Sequence, residues 1–303
     1  MVSRFFRGER PTCGQMARMP GRLVICPTPL GNLEDVTLRV LRCLRECDFI
    51  FAEDTRVTQT LLRRYEIDKP VRSFHERVEK RRLKEAARML KDSKTIAVVT
   101  DAGMPGISDP GVELVRAARE ASAAVEVLPG PSACLGAAVL SGFDVARFRF
   151  EGFPPRTPGA RRSHVRSFAN ETAAVIWYEA PTRVRALLGD VAHELSHRRV
   201  FVLREYTKRF EEHIAGDAAT VLRALSDEPR GEFVVVLDGA AQSASDVEVD
   251  ERAMAAVEML VEGGVRPRLA VDAIAAATGS NRKRLYAHAH RIAGKALDAR
   301  EGN

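Results

Sequence analysis

What the chain lacks narrows its class first. No apolar run in its 303 residues approaches the ~18–20 needed to cross a bilayer, so no membrane segment is expected. Cysteine is scarce and odd in number: five residues, Cys13, Cys26, Cys43, Cys47 and Cys134, with no CxxC pair. Cys43 and Cys47 stand one helical turn apart, a spacing that predicts packing on a helix face rather than a metal clip. This usage indicates reduced thiols in a cytoplasm. Neither GxGxxG nor GxxxxGK[ST] occurs, which argues against a nucleotide cofactor bearing a pyrophosphate. Residues 1–20 contain arginines but no apolar core of a secretory signal. They are read as a disordered extension, because the first patterned strand begins at Arg22.

Cationic excess is modest once it is located. The net charge is +6, but residues 1–20 hold four arginines against Glu9 alone. The remaining body is only mildly basic, so bulk charge is weak support for a nucleic-acid partner. Apolar residues at 45% and charged residues at 29% are those of a globular chain long enough for about two domains.

Short apolar runs alternate with amphipathic stretches. "RLVIC", "DFIFAED", "TIAVVT" and "VEVLP" read as strands, and helices are expected near 36–46, near 56–65, and in "EKRRLKEAARMLKD", "GVELVRAAREA" and "SACLGAAVLSG". This predicts an α/β domain over 21–141 with a mostly parallel sheet. "SGFDVARF" reads as a hinge into a second α/β domain over 142–245, with strands in "FRFEGF", "AAVIWYEA", "RRVFVLREY" and "GEFVVVLDG". Residues 246–303 read as a helical tail. Its "AAATGSNRKRLYAHAHR" resembles a helix–turn–helix with a basic second helix, which either contacts nucleic acid or caps the fold.

Ligands of open α/β sheets bind at the carboxyl ends of parallel strands. Four loops there are dense in glycine, proline and aspartate: "PTPLGNLED", "AEDTRVT", "TDAGMPGISDPG" and "PGPSA". One such loop is an ordinary strand-to-helix turn, whereas four in one half-chain make a binding surface. Glycine and proline hold backbone polar groups at fixed positions with little bulk, and Ser132 at a helix start suits an anion. "HELSH" (His193, Glu194, His197) matches the HExxH zinc pattern. The helix is expected to end there, no third ligand is placed, and Arg198 and Arg199 would repel a dication. Glu179 follows an apolar strand and needs a partner, for which Arg183 is the candidate. "SFHERVEKRR" and "EGFPPRTPGARRSHVR" are either phosphate-binding surfaces or solvated faces.

In this order, "PTPLGNLEDVTLR", "AEDTR", "DAGMPGISDPG", "LPGPSA", "FEGFPPR", "YEAPTR" and "REYTKRFEE" resemble the ribosomal-RNA-modifying branch of the tetrapyrrole (corrin/porphyrin) methylase superfamily. The resemblance runs from about Leu23 to Gly239. It implies two α/β domains with S-adenosylmethionine in the cleft between them, 2′-O-methylation of a cytidine of 16S rRNA in the small ribosomal subunit, and a cytoplasmic homodimer. Transferred by motif, the donor would touch Pro29, Asp101, Gly103, Pro105, Ile107, Ser108, Pro131, Ser132 and Ala133, with Tyr178 and Glu179 closing the site from the second domain. Asp109, Pro110 and Gly111 would set the following helix. The sequence departs from the family where Met104 replaces threonine, where "HERVE" puts Arg77 and Val78 in place of histidine and asparagine, and where Arg156 follows Pro154 and Pro155 in place of a lysine after "FLP". Met104 is expected to pack on the donor or on the second domain without preventing binding.

A ribose hydroxyl needs a proton acceptor or a cation for its developing charge. Asp54 and Glu151 are the candidate bases, with Lys208 or Arg56 as the cationic partner. Arg56, Arg156, Lys208 and Arg209 are expected on the RNA side. Two other readings remain: a relative that methylates a tetrapyrrole, and a non-catalytic RNA-binding protein with a worn donor site.

Overall fold

The computed structural model describes residues 21–75, 79–109, 111–241 and 244–301. The expected extension over 1–20 and most of the "HERVE" departure lie outside them. The chain divides into one compact unit ending at Gly239 and a second beginning at Ala240.

The first sheet contains β1 (Arg22–Ile25), β2 (Phe49–Ala52), β3 (Val71–Ser73), β4 (Thr95–Val99) and β5 (Ala124–Val127), in the order β3-β2-β4-β1-β5. Every pairing is parallel. The central strands are apolar throughout because both faces are covered, as parallel sheets require. One face carries α1 (Leu38–Glu46) and α2 (Thr55–Arg64), where Val40, Leu41, Leu44, Leu61 and Leu62 meet the strands. The other carries α3 (Glu79–Lys91) and α4 (Val112–Glu120) through Ala86, Leu90, Leu114 and Ala118. Cys43 and Cys47 are buried in the α1 face, as their spacing predicts. Thr37 and Asp54 cap α1 and α2 by accepting the backbone N–H of Val40 and Arg56.

The second sheet is β6 (Phe148–Phe150), β7 (Ala174–Glu179), β8 (Arg199–Arg204), β9 (Glu212–Asp217) and β10 (Phe233–Leu237), in the order β6-β7-β10-β8-β9. Only β6 and β7 run parallel; the other three pairings are antiparallel. Its outer face packs on α6 (Pro158–Arg166), α7 (Pro181–Glu194) and α8 (Ala218–Ala224) around the fully buried Trp177. Trp177 Nε1 donates to His164 Nε2 at 3.1 Å, so this histidine must present an unprotonated nitrogen inward. The inner face receives α5 (Ala133–Leu140), whose Cys134, Ala137 and Ala138 meet Ile176, Phe201, Leu203 and Val234. A helix made of Ala, Cys, Gly, Leu and Val has no polar stripe; it buries Cys134, Ala137 and Ala138 against the sheet and leaves Leu135, Val139 and Leu140 exposed. Thus α5 follows the last strand of the first sheet in sequence but packs on the second sheet.

The unit after Gly239 has three helices: α9 (Ala244–Glu262), α10 (Pro267–Thr278) and α11 (Arg282–Glu301). They enclose a small core of Ala253, Val257, Ala270, Val271, Leu285 and Ala289. Among the described residues, no helix is long and apolar enough to cross a membrane.

Candidate active site

The four glycine- and proline-rich loops all lie at the carboxyl edge of the first sheet. Two of them are stitched together: Thr28 and Gly103 exchange backbone hydrogen bonds of 2.9 and 3.0 Å. Gly103 makes this approach at φ 78°, a left-handed conformation that strains any other L-residue. The loop after β1 also reaches the second half of the same unit, where Asn32 N–H donates to Thr207 Oγ1 at 3.2 Å.

Between these loops and the inner face of the second sheet lies a cavity of about 420 Å³. Of the expected donor-binding residues, Asp101, Gly103, Ile107, Ser108, Ser132, Ala133, Tyr178 and Glu179 line it. Met104 lines it too, and also packs against the core of the first sheet. Pro131 lines an adjoining recess of about 340 Å³, which shares Leu30, Ser132 and Tyr206 with the cavity. Pro29 and Pro105 line neither; they belong to the loop backbone beside Thr28 and Gly103.

The polar wall of the cavity is anionic. Glu53, Asp101, Asp109, Glu179 and Glu232 line it, and among the described residues no lysine or arginine does. Burial raises the proton affinity of Glu53, Asp101 and Glu179 above the ordinary carboxylate range. Asp109 moves furthest: burial, then repulsion from Glu53, Asp101 and Glu232, pushes it up to about 7. Its carboxylate has no hydrogen-bond or ion-pair partner among the described residues. Helix α4 begins at Gly111 without a side-chain cap, so Asp109 faces the cavity rather than capping that helix. The sequence signal for this was present in the run of aspartate, proline and glycine, but its direction was not.

Glu179 is buried beside Arg183 as expected, with 3.2 Å between Nη2 and Oε2. No hydrogen bond forms there, and Oε2 is left without a donor. Tyr178 accepts the backbone N–H of Cys134 at the start of α5. Burial pushes its hydroxyl up to about 12, so it stays protonated. Tyr206 was not foreseen: it lies over Gly136, where a Cβ would come within 2.5 Å of its ring.

The expected catalytic residues stand behind this wall rather than in it. Asp54 grips Arg56 through contacts of 2.5 to 3.2 Å, and these bonds hold its carboxyl down at about 2, a poor proton acceptor. Its backbone N–H donates to Asp101 Oδ1 at 3.0 Å. Glu151 is paired with Arg149 at 2.8 Å. Lys208 is held between Glu205 at 2.9 Å and Glu232 at 2.8 Å; burial opposes its charge, but the two carboxylates outweigh that and raise its affinity for the proton. It therefore reaches the cavity only through Glu232. Arg156 is exposed without a carboxylate partner among the described residues, and Arg209 is exposed with its guanidinium 5.5 Å from the Phe210 ring centroid.

The HExxH segment is not a metal site. Helix α7 ends at Glu194, so His193 and His197 do not share a helix face, and Glu194 is bound by Arg166 at 2.7 Å. Among the described residues no cluster of three or more metal-ligating side chains forms.

A partly apolar cavity whose charged groups among the described residues are all carboxylates, one with a buried oxygen that accepts no hydrogen bond, suits an organic cation. A sulfonium with an ammonium on its tail is such a ligand. The fold and this site define a class: residues 22–222 match the model of the tetrapyrrole (corrin/porphyrin) methylases, and the chain belongs to that family. The solved structure of the methyltransferase CobJ has the same fold, with a TM-score of 0.56 at 20% identity over 73% of this chain and 95% of that one. The chain is a methyltransferase whose donor is S-adenosylmethionine. More particularly, it is 44% identical over 220 residues to the ribosomal RNA small subunit methyltransferase I of Thermotoga maritima, covering 72% of this chain and 99% of the relative. The protein of the same name from Xylella fastidiosa is 39% identical over 272 residues, 88% of this chain and 98% of the relative.

Proposed function

We propose that the protein transfers a methyl group from S-adenosylmethionine to the 2′-oxygen of a cytidine in 16S rRNA of the small ribosomal subunit. The observation that carries the chemistry is Asp109, an unpartnered carboxylate tuned to about 7 inside an otherwise anionic cavity. The identity of the substrate rests on the likeness to relatives named as small-subunit rRNA methyltransferases.

When bound, the donor supplies an activated methyl group on a positively charged sulfur. Asp101, Glu53 and Glu179 would hold it by charge, with Ser132 and the start of α5 facing its carboxylate and Gly103, Ile107 and Ser108 against its body. Asp109 would accept the proton of the 2′-hydroxyl on a carboxylate oxygen as the new O–C bond forms at the expense of the donor's S–CH3 bond, the leaving group being a neutral thioether. Its neighbours Glu53, Asp101 and Glu232 raise its proton affinity, and their combined field favours positive charge in the cleft. Tyr178, Phe153 and Phe233 form the apolar side that limits water. Lys208 restrains Glu232 and positions that wall. Asp54 fixes the Asp101 side of the site through its backbone and holds Arg56, while Glu151 with Arg149 braces the end of β6. Arg56, Arg156 and Arg209, all exposed, contact the phosphates that flank the target.

The protein acts in the cytoplasm as a homodimer. The exposed Val127, Leu135 and Val139 support the dimer, and light scattering tests it. The reaction itself is tested by tritium transfer from labelled donor to small subunits lacking the modification, followed by mapping of the labelled nucleotide. Label at a cytidine 2′-oxygen is expected; label on a base, or on a tetrapyrrole but not on rRNA, refutes the proposal.

A further inference from the structure

Every described residue lining the cavity precedes Gly239. The charges of the three-helix unit are sorted along the chain. Residues 240–265 hold six acidic residues and one arginine, whereas residues 266–291 hold six lysines and arginines and one aspartate. The structure turns the second set outward. Leu285 and Ala289 are buried and fix the inner face of α11, leaving Lys283 and Arg291 exposed. Gly279, left-handed at φ 70°, ends α10, and Asn281 Oδ1 accepts the backbone N–H of Lys283 at 3.0 Å and of Arg284 at 3.3 Å. The turn between the helices is therefore fixed by a cap at each side. Arg266 and Arg268 are exposed where α10 begins.

Arg282 is neutralised by Asp272. Arg266, Arg268, Lys283 and Arg291 have no carboxylate partner among the described residues. Exposed cations without carboxylate partners on neighbouring helices of one small unit favour a polyanion. The unit holds no phenylalanine or tryptophan on which single strands could stack: its one tyrosine, Tyr286, is half-buried against the core of the unit and beside His290. What remains are point cations suited to phosphates spaced along a regular backbone. The relative from Thermotoga maritima is covered to 99% by a match of 220 residues, about the length of this chain's first unit. A chain of that size has little room for both units, which marks the helices as an addition to the catalytic body.

We propose that Arg266, Arg268, Lys283 and Arg291 form a second RNA-contact surface that grips the phosphate backbone of a duplex RNA stem, adding affinity for the structured subunit rRNA without reading its sequence. The choice of RNA rests on the function proposed above.

The test uses the full chain and a labelled RNA hairpin, with binding followed by fluorescence anisotropy across a salt series in the absence of donor. Arg268→Glu/Lys283→Glu/Arg291→Glu is expected to weaken hairpin binding at least tenfold at low salt. It should also lower the slope of log K against log salt by about 1 for each lost contact. Donor affinity by calorimetry and the melting temperature should stay unchanged, and the KM for subunits should rise. The triple glutamine variant, which removes charge without reversing it, should show a smaller change in the same direction. Wild-type affinity and slope in the glutamate variant would overturn the proposal. So would polyglutamate displacing the hairpin at equal charge, which would mark an acidic protein partner instead. If subunits are not methylated at all but the hairpin results hold, the function above fails and this surface stands.

Discussion

Replacing Asp109 with asparagine removes a proton acceptor while keeping the side chain's size. A positioned base contributes about 100- to 10,000-fold to a rate, so Asp109→Asn should lower kcat by at least about 100-fold. Donor affinity should change by no more than about threefold, because the other four carboxylates remain. The base must be ionised to act. Wild-type kcat/KM, which reports the free enzyme, should therefore rise with pH, about tenfold per unit below 7, and level off above it, since the group titrates at about 7. The variant's residual rate should lack that limb. Stability should move the other way. The folded value is raised above the ordinary 3.8, so the wild type carries an unfavourable charge in the folded state above pH 7. Between those values the folded protein takes up the proton and the penalty fades; below both it is gone. Three units at 1.36 kcal/mol each give about 4 kcal/mol, and solvent access to a half-exposed group reduces this to roughly 1–2 kcal/mol. Asp109→Asn should then be more stable than wild type by that amount at pH 8 and equal to it near pH 4. Single-turnover rates across pH 5.5–9 and paired urea titrations would measure both. A variant with wild-type kcat and an unchanged pH limb refutes the assignment to Asp109.

Three further perturbations follow from the same geometry. Asp190→Asn leaves Arg161 buried without its 2.7 Å ionic partner and should cost about 3–5 kcal/mol by denaturant unfolding, with the donor site intact. His164 is held below its usual value by burial while its Nε2 accepts from Trp177; stability from this contact is full above about pH 6.5 and should be lost as the pH falls through the lowered folded value, an effect absent in His164→Gln. Arg156→Glu combined with Arg209→Glu should raise the KM for subunits and flatten its salt dependence while donor affinity measured by calorimetry is retained; unchanged salt dependence would remove both residues from the RNA side.

The strands and loops that build the cavity are legible in the sequence because their signals are local. Apolar runs such as "TIAVVT" are buried on both faces, and the glycines and prolines that follow them fix loop backbones. β3 was missed because three half-buried residues, "VRS", carry no period. β9 alternates, but its "EHIAGD" contains glycine and two acids and does not read as a strand alone. The mixed direction of the second sheet follows from long-range pairing that no local pattern encodes. The same limit governs the site. Which residues form the donor cradle can be read from motifs, but Asp54 and Glu151 are indistinguishable in sequence from available bases. Only the positions of Arg56 and Arg149 reveal that both are already engaged. Asp109 earns its role through Asp101 of its own loop and through Glu53 and Glu232 brought near from two other loops, a field largely invisible along the chain.

Helix α5 belongs by sequence to the first half and by packing to the second. The two sheets are therefore not beads on a string: a cut in the 143–147 segment would separate α5 from the surface that covers it. The fragments from such a nick would be expected to reassemble as a complementing pair, with the enzyme's halves held as a key is held by its lock even when the covalent link is gone.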